Sequence, residues 1–161
     1  MKPIIKILPE KLLVGKRLVT NLADNKTAEL WKSFMPERKE IKNSRGHDLY
    51  AIQVYQESYN FKKFDVYAFF EKWATVEVED FNTIPEGMEA FILKEGLYAV
   101  FVHKGRASDG EKTFRFIFET WLPDSEFLLD NRPHYEILGP KYIHDHPDSE
   151  EDICIPIRYK D

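Results

Sequence analysis

Hydrophobic and polar positions alternate along much of the chain with the period of a β-strand. Over residues 73–80, Ala74, Val76 and Val78 fall on one side, whereas the other side carries a tryptophan, a threonine and two glutamates. This alternation is typical of a strand that is half buried in a sheet. On similar grounds we predict further strands over residues 12–19, 49–56, 88–93, 97–103, 132–138 and 152–158.

Two other segments show the spacing of an amphipathic helix. In the first, Leu30, Trp31 and Phe34 recur at helical spacing after Thr27, which is predicted to cap the helix, and Pro36 follows. In the second, Ser108 or Asp109 is predicted to cap the helix and Pro123 to end it. The predicted apolar face of this second helix consists of Phe114, Ile117, Phe118 and Trp121.

The order of these elements is the same in the two halves of the chain: a strand, a helix that ends in an aromatic residue and a proline, and two strands. We therefore predict an α+β fold built from a tandem βαββ repeat with pseudo-two-fold symmetry. Two main helices would cover one antiparallel sheet, with a ligand cleft at the repeat junction. The chain is expected to be one domain, 1–161, with the first repeat at about 1–82 and the second at about 83–161.

Composition narrows the cellular setting. The single cysteine, Cys154, excludes an intramolecular disulfide, and no apolar stretch reaches the ~20 residues that span a bilayer. A formal net charge of -5 argues against a direct nucleic-acid partner. We expect a cytoplasmic protein without a membrane partner.

Aromatic residues are unusually abundant. The chain has 12 Phe, 8 Tyr and 3 Trp, 14% of its residues, which is more ring than a small core ordinarily needs. Part of this surface should face a ligand or partner, although core packing is the alternative for each ring. The rings predicted to bind a ligand are Tyr55, Trp73, Phe101, Phe118, Trp121 and Tyr135.

Four stretches carry a family resemblance: KWATVEVEDFNTIPEGME (72–89), GLYAVFVHKG (96–105), TWLPDSEFLLDNRPHYEIL (120–138) and DSEEDICIPI (148–157). In this order they resemble the GyrI-like effector-binding domains. That superfamily includes the ligand-binding halves of multidrug-responsive transcription regulators, a DNA gyrase inhibitor and stand-alone drug-binding proteins from integron cassettes.

The resemblance implies an aromatic cleft in which a buried glutamate faces lipophilic cations, and alignment on Tyr-Glu-Ile-Leu assigns that role to Glu136. Two departures from the family are expected to matter. We expect no DNA-binding domain, because the first predicted strand comes almost at the start of the chain. Cys154 stands where many members carry an aromatic residue, so we expect this residue to line a wider pocket.

Strand alternation gives Glu136 its predicted surroundings. His134, Glu136 and Leu138 share one face of the strand, with Tyr135 and Ile137 on the other. A carboxylate in an apolar cleft binds its proton tightly until a cation arrives, so a cationic ligand should displace that proton. A solvated strand glutamate is the alternative interpretation.

No cofactor or metal is expected. His144 and His146 lie among aspartates, but their spacing matches no compact zinc signature and their Pro-Asp surroundings are typical of a surface turn. Cys154 lies in an apolar strand without an activating base nearby in sequence, so an inert thiol is favoured over a nucleophile.

The leading hypothesis is a binding protein for lipophilic, cationic or amphiphilic compounds, acting as a sensor or sequestering module in transcription regulation or drug response. Two alternatives stay open. The first is a hydrolase of reactive small molecules in which Glu136 is the general base and Tyr135 or Trp121 places the substrate. The second is a protein-interaction module similar to the gyrase inhibitor. A binding protein is favoured over an enzyme, and a homodimer or a separate regulator protein stays open as a partner.

Overall fold

The computed structural model describes residues 1–63 and 65–161. Strands dominate this part of the chain, as the alternation of hydrophobic positions predicts. They are β1 Ile4–Leu8, β2 Lys11–Thr20, β3 Ser44–Tyr55, β4 Phe70–Val78, β5 Glu89–Leu93, β6 Gly96–Lys104, β7 Phe127–Leu129, β8 His134–Leu138 and β9 Glu150–Tyr159.

The strands form one antiparallel sheet in the order β1-β6-β9-β8-β3-β4-β2-β5, and β7 pairs with β9. The predicted α+β class and antiparallel sheet are confirmed. Strands β3 and β8 meet at the centre of the sheet, in a register that pairs Ala51 with Glu136. Each edge strand pairs with the other half of the chain: β1 with β6, and β5 with β2.

The first helix, α1 (Thr27–Phe34), continues into a 3-10 segment, Met35–Glu40. Leu30 and Phe34 are buried, in agreement with their spacing. The predicted cap is wrong: Thr27 is the first helical residue, and the cap position is taken by Lys26 without a side-chain hydrogen bond. The Thr27 hydroxyl donates instead to Asn25 Oδ1 at 2.6 Å, within the preceding turn.

The second helical region is less regular than its sequence predicts. It consists of α2 (Gly110–Arg115), a π-helical turn (Phe116–Trp121) and α3 (Leu122–Asp124). Asp109 takes the cap position of α2 without a side-chain cap hydrogen bond. Pro123 lies in the first turn of α3, where its missing N–H is tolerated, rather than at the end of the helix.

The two faces of the sheet are both covered. One face, the inner face, carries a cluster that includes Leu8 of β1 and Leu93 of β5. Because these residues come from opposite edges of the strand order, the sheet curls around this cluster. The opposite face, the helix face, packs against α1 through Val14 and Ala74 and against the second helical region through residues such as Phe101.

The prediction that β4 is half buried is wrong, because both faces of the sheet are covered. Its predicted polar side includes Trp73 and Thr75, yet both are buried, because they point into the inner-face cluster or its neighbourhood. A strand at the centre of a sheet with two covered faces does not show a polar side. No helix within the described residues is long and apolar enough to cross a membrane.

Candidate functional site

Polar side chains collect on the helix face, over the central strands. Residues opposite each other in an antiparallel pair point to the same face, and β3 pairs Gln53 with His134 of β8 and with Lys72 of β4. Glu136 follows two residues after His134 and shares its face. The Gln53 side-chain amide donates to Glu136 Oε1 at 3.0 Å.

A second glutamate, Glu151 of β9, completes this group. Glu136 pairs with Ile153, so Glu151 lies two residues along β9 on the same face. Burial, and then the charge of Glu136 and a hydrogen bond with it, raise the pKa of Glu151 to about 8, although Lys72 acts in the opposite direction. We call Gln53, Lys72, Glu136 and Glu151 the polar floor.

Two tyrosines lie close to the carboxyl groups of the polar floor. Burial and then the charge of Glu136 raise the pKa of Tyr55, so its hydroxyl stays protonated and can donate. Tyr142, in the loop before β9, also has a raised pKa, through burial and then the charges of Glu151 and Glu136. The floor is therefore bordered by neutral hydroxyl groups.

Rings at one end of the floor surround the side chain of Phe61. Phe118 stacks on it with ring centroids 4.8 Å apart, and His134 stacks on it at 5.0 Å. Tyr55 and Tyr59 meet it edge-on at 4.9 Å and 4.7 Å. We call Tyr55, Tyr59, Phe118 and His134 the aromatic cage.

His134 contributes to the cage as a neutral ring. The side chain is buried, and burial followed by the positive charge of Arg132 lowers its pKa to about 3. At neutral pH the cage therefore carries no positive charge that would repel a cationic ligand. The negative charge of Glu136, in the polar floor, acts on Tyr55 of the cage.

The structure brings together three of the eight predicted ligand-binding residues: Glu136, Tyr55 and Phe118. Trp121 is half-buried and packs on Phe101, with ring centroids 5.1 Å apart, in the core under the second helical region.

The other three predicted residues lie away from Glu136. Trp73, Tyr135 and Cys154 belong to the inner-face cluster. The physical reason for Tyr135 and Cys154 is strand alternation. Tyr135 directly precedes Glu136 and therefore points to the opposite face, where it lies across from Ile52 of β3 and Cys154 of β9. A ligand beside Glu136 would meet none of these three side chains without crossing the sheet.

Several residues of the site have no counterpart in the sequence prediction. Gln53, Lys72 and Glu151 are polar residues at inward-facing positions of strands whose neighbours are apolar, and polar side chains are seldom buried without a reason. That pattern could have identified them. Phe61 and Tyr142 come from loops, whose path over the sheet no periodicity reveals.

Open cavities lie elsewhere. One cavity, of about 450 Å³, is lined by residues of β1 such as Lys6, by residues of β6 such as Val102, and by Asp152 of β9. Another, of about 470 Å³, is lined by residues between β3 and β4, such as Gln56, Tyr59 and Phe69. Neither is lined by Glu136 or Glu151. Phe61, from that same segment, occupies the aromatic cage.

An antiparallel sheet with two helical regions on one face, and an aromatic cage with paired carboxyl groups between them, defines a domain suited to small organic ligands. The sequence matches the GyrI-like small molecule binding domain family over residues 1–158. The chain belongs to this family.

One similar protein of known name matches most of the chain. Transcriptional regulator BrlR of Pseudomonas aeruginosa is 26% identical over 151 residues, which are 92% of this chain and 53% of the relative. The chain thus spans about half the length of that regulator.

Solved structures share the fold. SAV2435, in a structure bound to tetraphenylphosphonium, superposes with a TM-score of 0.74 at 12% identity, over 98% of this chain and 94% of the other. The C-terminal domain of EcmrR superposes with a TM-score of 0.71 at 16% identity, over 99% of this chain and 98% of the EcmrR domain.

Proposed function

We propose that the protein binds lipophilic organic cations between the aromatic cage and the polar floor, as a sensor or sequestering module in transcription regulation or drug response. The observation that carries this proposal is the position of Phe61. Four rings of the cage already hold a benzene ring at centroid distances of 4.7 to 5.0 Å. An aryl group of a ligand would replace Phe61 at the same contacts.

Charge selects the ligand in this proposal. Glu136 and Glu151 lie side by side at the end of the cage, and their shared environment favours a proton on Glu151 in the empty protein. A cation would replace that proton as the neutralising charge. Each cation contact with a ring adds about 0.5 to 2 kcal/mol, so a cage of rings and one carboxylate pair can supply the roughly 8 kcal/mol of micromolar binding.

The test uses two probes of the same shape and opposite charge. Tetraphenylphosphonium should bind and raise the melting temperature, by an amount equivalent to about 2.7 kcal/mol at 100 times its Kd. Tetraphenylborate should produce little or no shift. Equal shifts from both ions would show that hydrophobic contact alone drives binding and would contradict the electrostatic half of the proposal.

Glu136→Gln tests the contribution of the carboxylate charge to binding without disturbing the fold. It keeps the hydrogen-bonding shape but removes the charge, so it should weaken tetraphenylphosphonium binding at least about tenfold, or 1.4 kcal/mol. Glu95→Gln, on the exposed turn between β5 and β6, is the matched control and should leave affinity unchanged. Equal effects of the two substitutions would point to general surface charge instead of the site.

A hydrolase is the second candidate, favoured by the same pair of carboxyl groups. A protonated Glu151 beside Glu136 offers a general acid next to a general base at neutral pH, and such divergent pairs perform acid–base chemistry in enzymes. In that case Glu136→Gln would abolish turnover of an electrophilic substrate while its binding survives. Loss of binding in this variant would favour the binding protein.

A further inference from the structure

Lys72 is a buried lysine that the proposed cation site does not use. Its side chain lies in the polar floor on β4, opposite Gln53, and the residue is only 7% exposed. Lys72 takes part in no ion pair among residues 1–63 and 65–161. Lysine is almost never buried to this extent unless it is paired.

Register explains why Lys72 does not pair with Glu136. Strand β3 lies between β4 and β8, so the two residues are separated by two strand spacings, roughly 10 Å between backbones. Gln53 stands between them, and its amide already donates to Glu136. The amide thus holds the carboxylate on its own side of the floor.

The strand neighbours of Lys72 do not supply an anionic acceptor either. Leu18 of β2 lies opposite it on one side and Gln53 on the other. The flanking residues on the same face of β4 are Phe70 and Ala74. The charge of Lys72 lowers the pKa of Glu151, but the two side chains form no ion pair among the described residues. A buried ammonium group without a direct carboxylate contact is costly, and an acceptor oxygen from a ligand would relieve that cost.

We infer that Lys72 binds an acceptor group of the ligand, a carboxylate or a carbonyl oxygen, so that the cleft takes amphoteric aromatic compounds. Their cationic end would lie at Glu136 and Glu151, and their anionic or acceptor end at Lys72 across Gln53. This inference rests on the proposed cation site and extends it from simple cations to zwitterions.

Two rhodamine probes distinguish these ligand classes. Rhodamine B with its free carboxylate is a zwitterion, and its ethyl ester is a cation with the same rings. Lys72→Met removes the ammonium group while retaining most of the side-chain volume. At pH 8, this variant should bind the zwitterion at least about tenfold more weakly than the native protein does. Its affinity for the ester should stay the same or increase, since a repulsive charge is gone.

Lys11→Met is the matched control. Lys11 also lies on a strand, but it sits near the ring of Tyr50 and pairs with Glu77 at 3.9 Å, away from the polar floor. This variant should bind both probes like the native protein. Binding of the ester to Lys72→Met also reports that this variant is folded.

Other outcomes overturn the inference in recognisable ways. Tighter binding of both probes by Lys72→Met would make Lys72 an internal counter-ion of the two glutamates. Equal weakening of both probes would make it a structural residue. If native protein binds the ester but not the zwitterion, the acceptor site is absent while the cation site survives. If native protein binds neither probe, the proposed function fails and this inference fails with it.

Discussion

Glu151 shares a face of the sheet with Glu136, and its pKa is raised. Its neighbourhood contains every charged group of the polar floor: burial and Glu136 favour its neutral form, while Lys72 favours its charged form. Burial and the charge of Glu136 outweigh the effect of Lys72, so the pKa of Glu151 rises to about 8. At neutral pH Glu151 therefore holds a proton, which the cation of the proposed function would displace.

This proton predicts the pH dependence of binding. Because a permanent cation favours the ionised carboxylate, tetraphenylphosphonium affinity should increase as pH rises toward about 8, the pKa of Glu151, and level off above it. Below that value, binding should release up to one proton. Calorimetry in two buffers of different ionisation enthalpy measures this release, since the probe itself does not titrate.

Glu151→Gln provides the control for this linkage. The variant should bind the cation without proton release and with little pH dependence between about 6 and 8. The raised pKa of Glu151 also affects the stability of the ligand-free native protein. Its contribution to stability is fully present at pH values below 4.5, the ordinary pKa of a glutamate, and is lost as pH rises through about 8. Proton release that persists in the variant would assign the titration to another group.

The contrast between the two glutamates shows what the sequence could predict at this scale. Family resemblance points to Glu136, whose role in binding stays a prediction, and alternation places its side chain on the face opposite Tyr135, as the structure does. Alternation along β9 would also place Glu151 beside Ile153 on a buried face, but it cannot show that β8 and β9 are neighbours. That knowledge requires strand order, which a single sequence does not contain.

The segment between β3 and β4 contributes Phe61 to the candidate site. Phe61 fills the aromatic cage, whereas Tyr67 and Phe69 of the same segment are 73% and 56% exposed. A ligand ring and Phe61 cannot occupy the cage together. Binding should therefore include displacement of Phe61, and part of the ligand's contact energy would be spent on lost Phe61 contacts.

Phe61→Ala tests this competition. With the cage emptied, tetraphenylphosphonium should bind more tightly, by about tenfold if the lost contacts are worth 1.4 kcal/mol. Calorimetry measures the gain. Phe69→Ala, at an exposed position of the same segment, is the control and should leave affinity unchanged. Weaker binding by Phe61→Ala would mean that Phe61 is a wall of the ligand site instead of an occupant.

The second helical region shows where periodicity fails at the scale of an element. Its residues fit a regular helix with one apolar face, yet Phe116–Trp121 forms a π-helical turn. The wider turn separates the directions of its rings: Phe118 stacks on Phe61, and Trp121 packs on Phe101. Insertions of this kind are frequent at functional sites, but they leave no hydrophobic period from which to predict them.

At the scale of the whole molecule, the matching order of elements predicts a sheet with a central junction, and β3 and β8 form it. It does not predict that the edge strands exchange partners. Strand β1 pairs with β6 over five residue pairs, from Ile4 with Val100 to Leu8 with Gly96. Strand β5 pairs reciprocally with β2. Such long-range pairing follows from tertiary packing, which local patterns do not encode.

The exchange of edge strands between the two halves of the chain predicts that neither half folds on its own. In a fragment of residues 1–82, β1 would lack β6 and β2 would lack β5. The inner-face cluster would also lose the members that the second half supplies, among them Leu93, Tyr98 and Tyr135. Since one domain owes its stability to a single shared core, fragments 1–82 and 83–161 should each be largely unfolded alone.

Mixing the fragments makes the prediction decisive. Together they can restore every strand pair and the inner-face cluster, so an equimolar mixture should regain the circular dichroism of the native sheet and bind tetraphenylphosphonium. The intact chain should unfold in one transition, with coincident curves from circular dichroism and tryptophan fluorescence. A native-like spectrum from either fragment alone, or two separate transitions in the intact chain, would mean that each half has its own sufficient core. The exchanged edge strands would then be an addition to two stable units and not the link that makes them one.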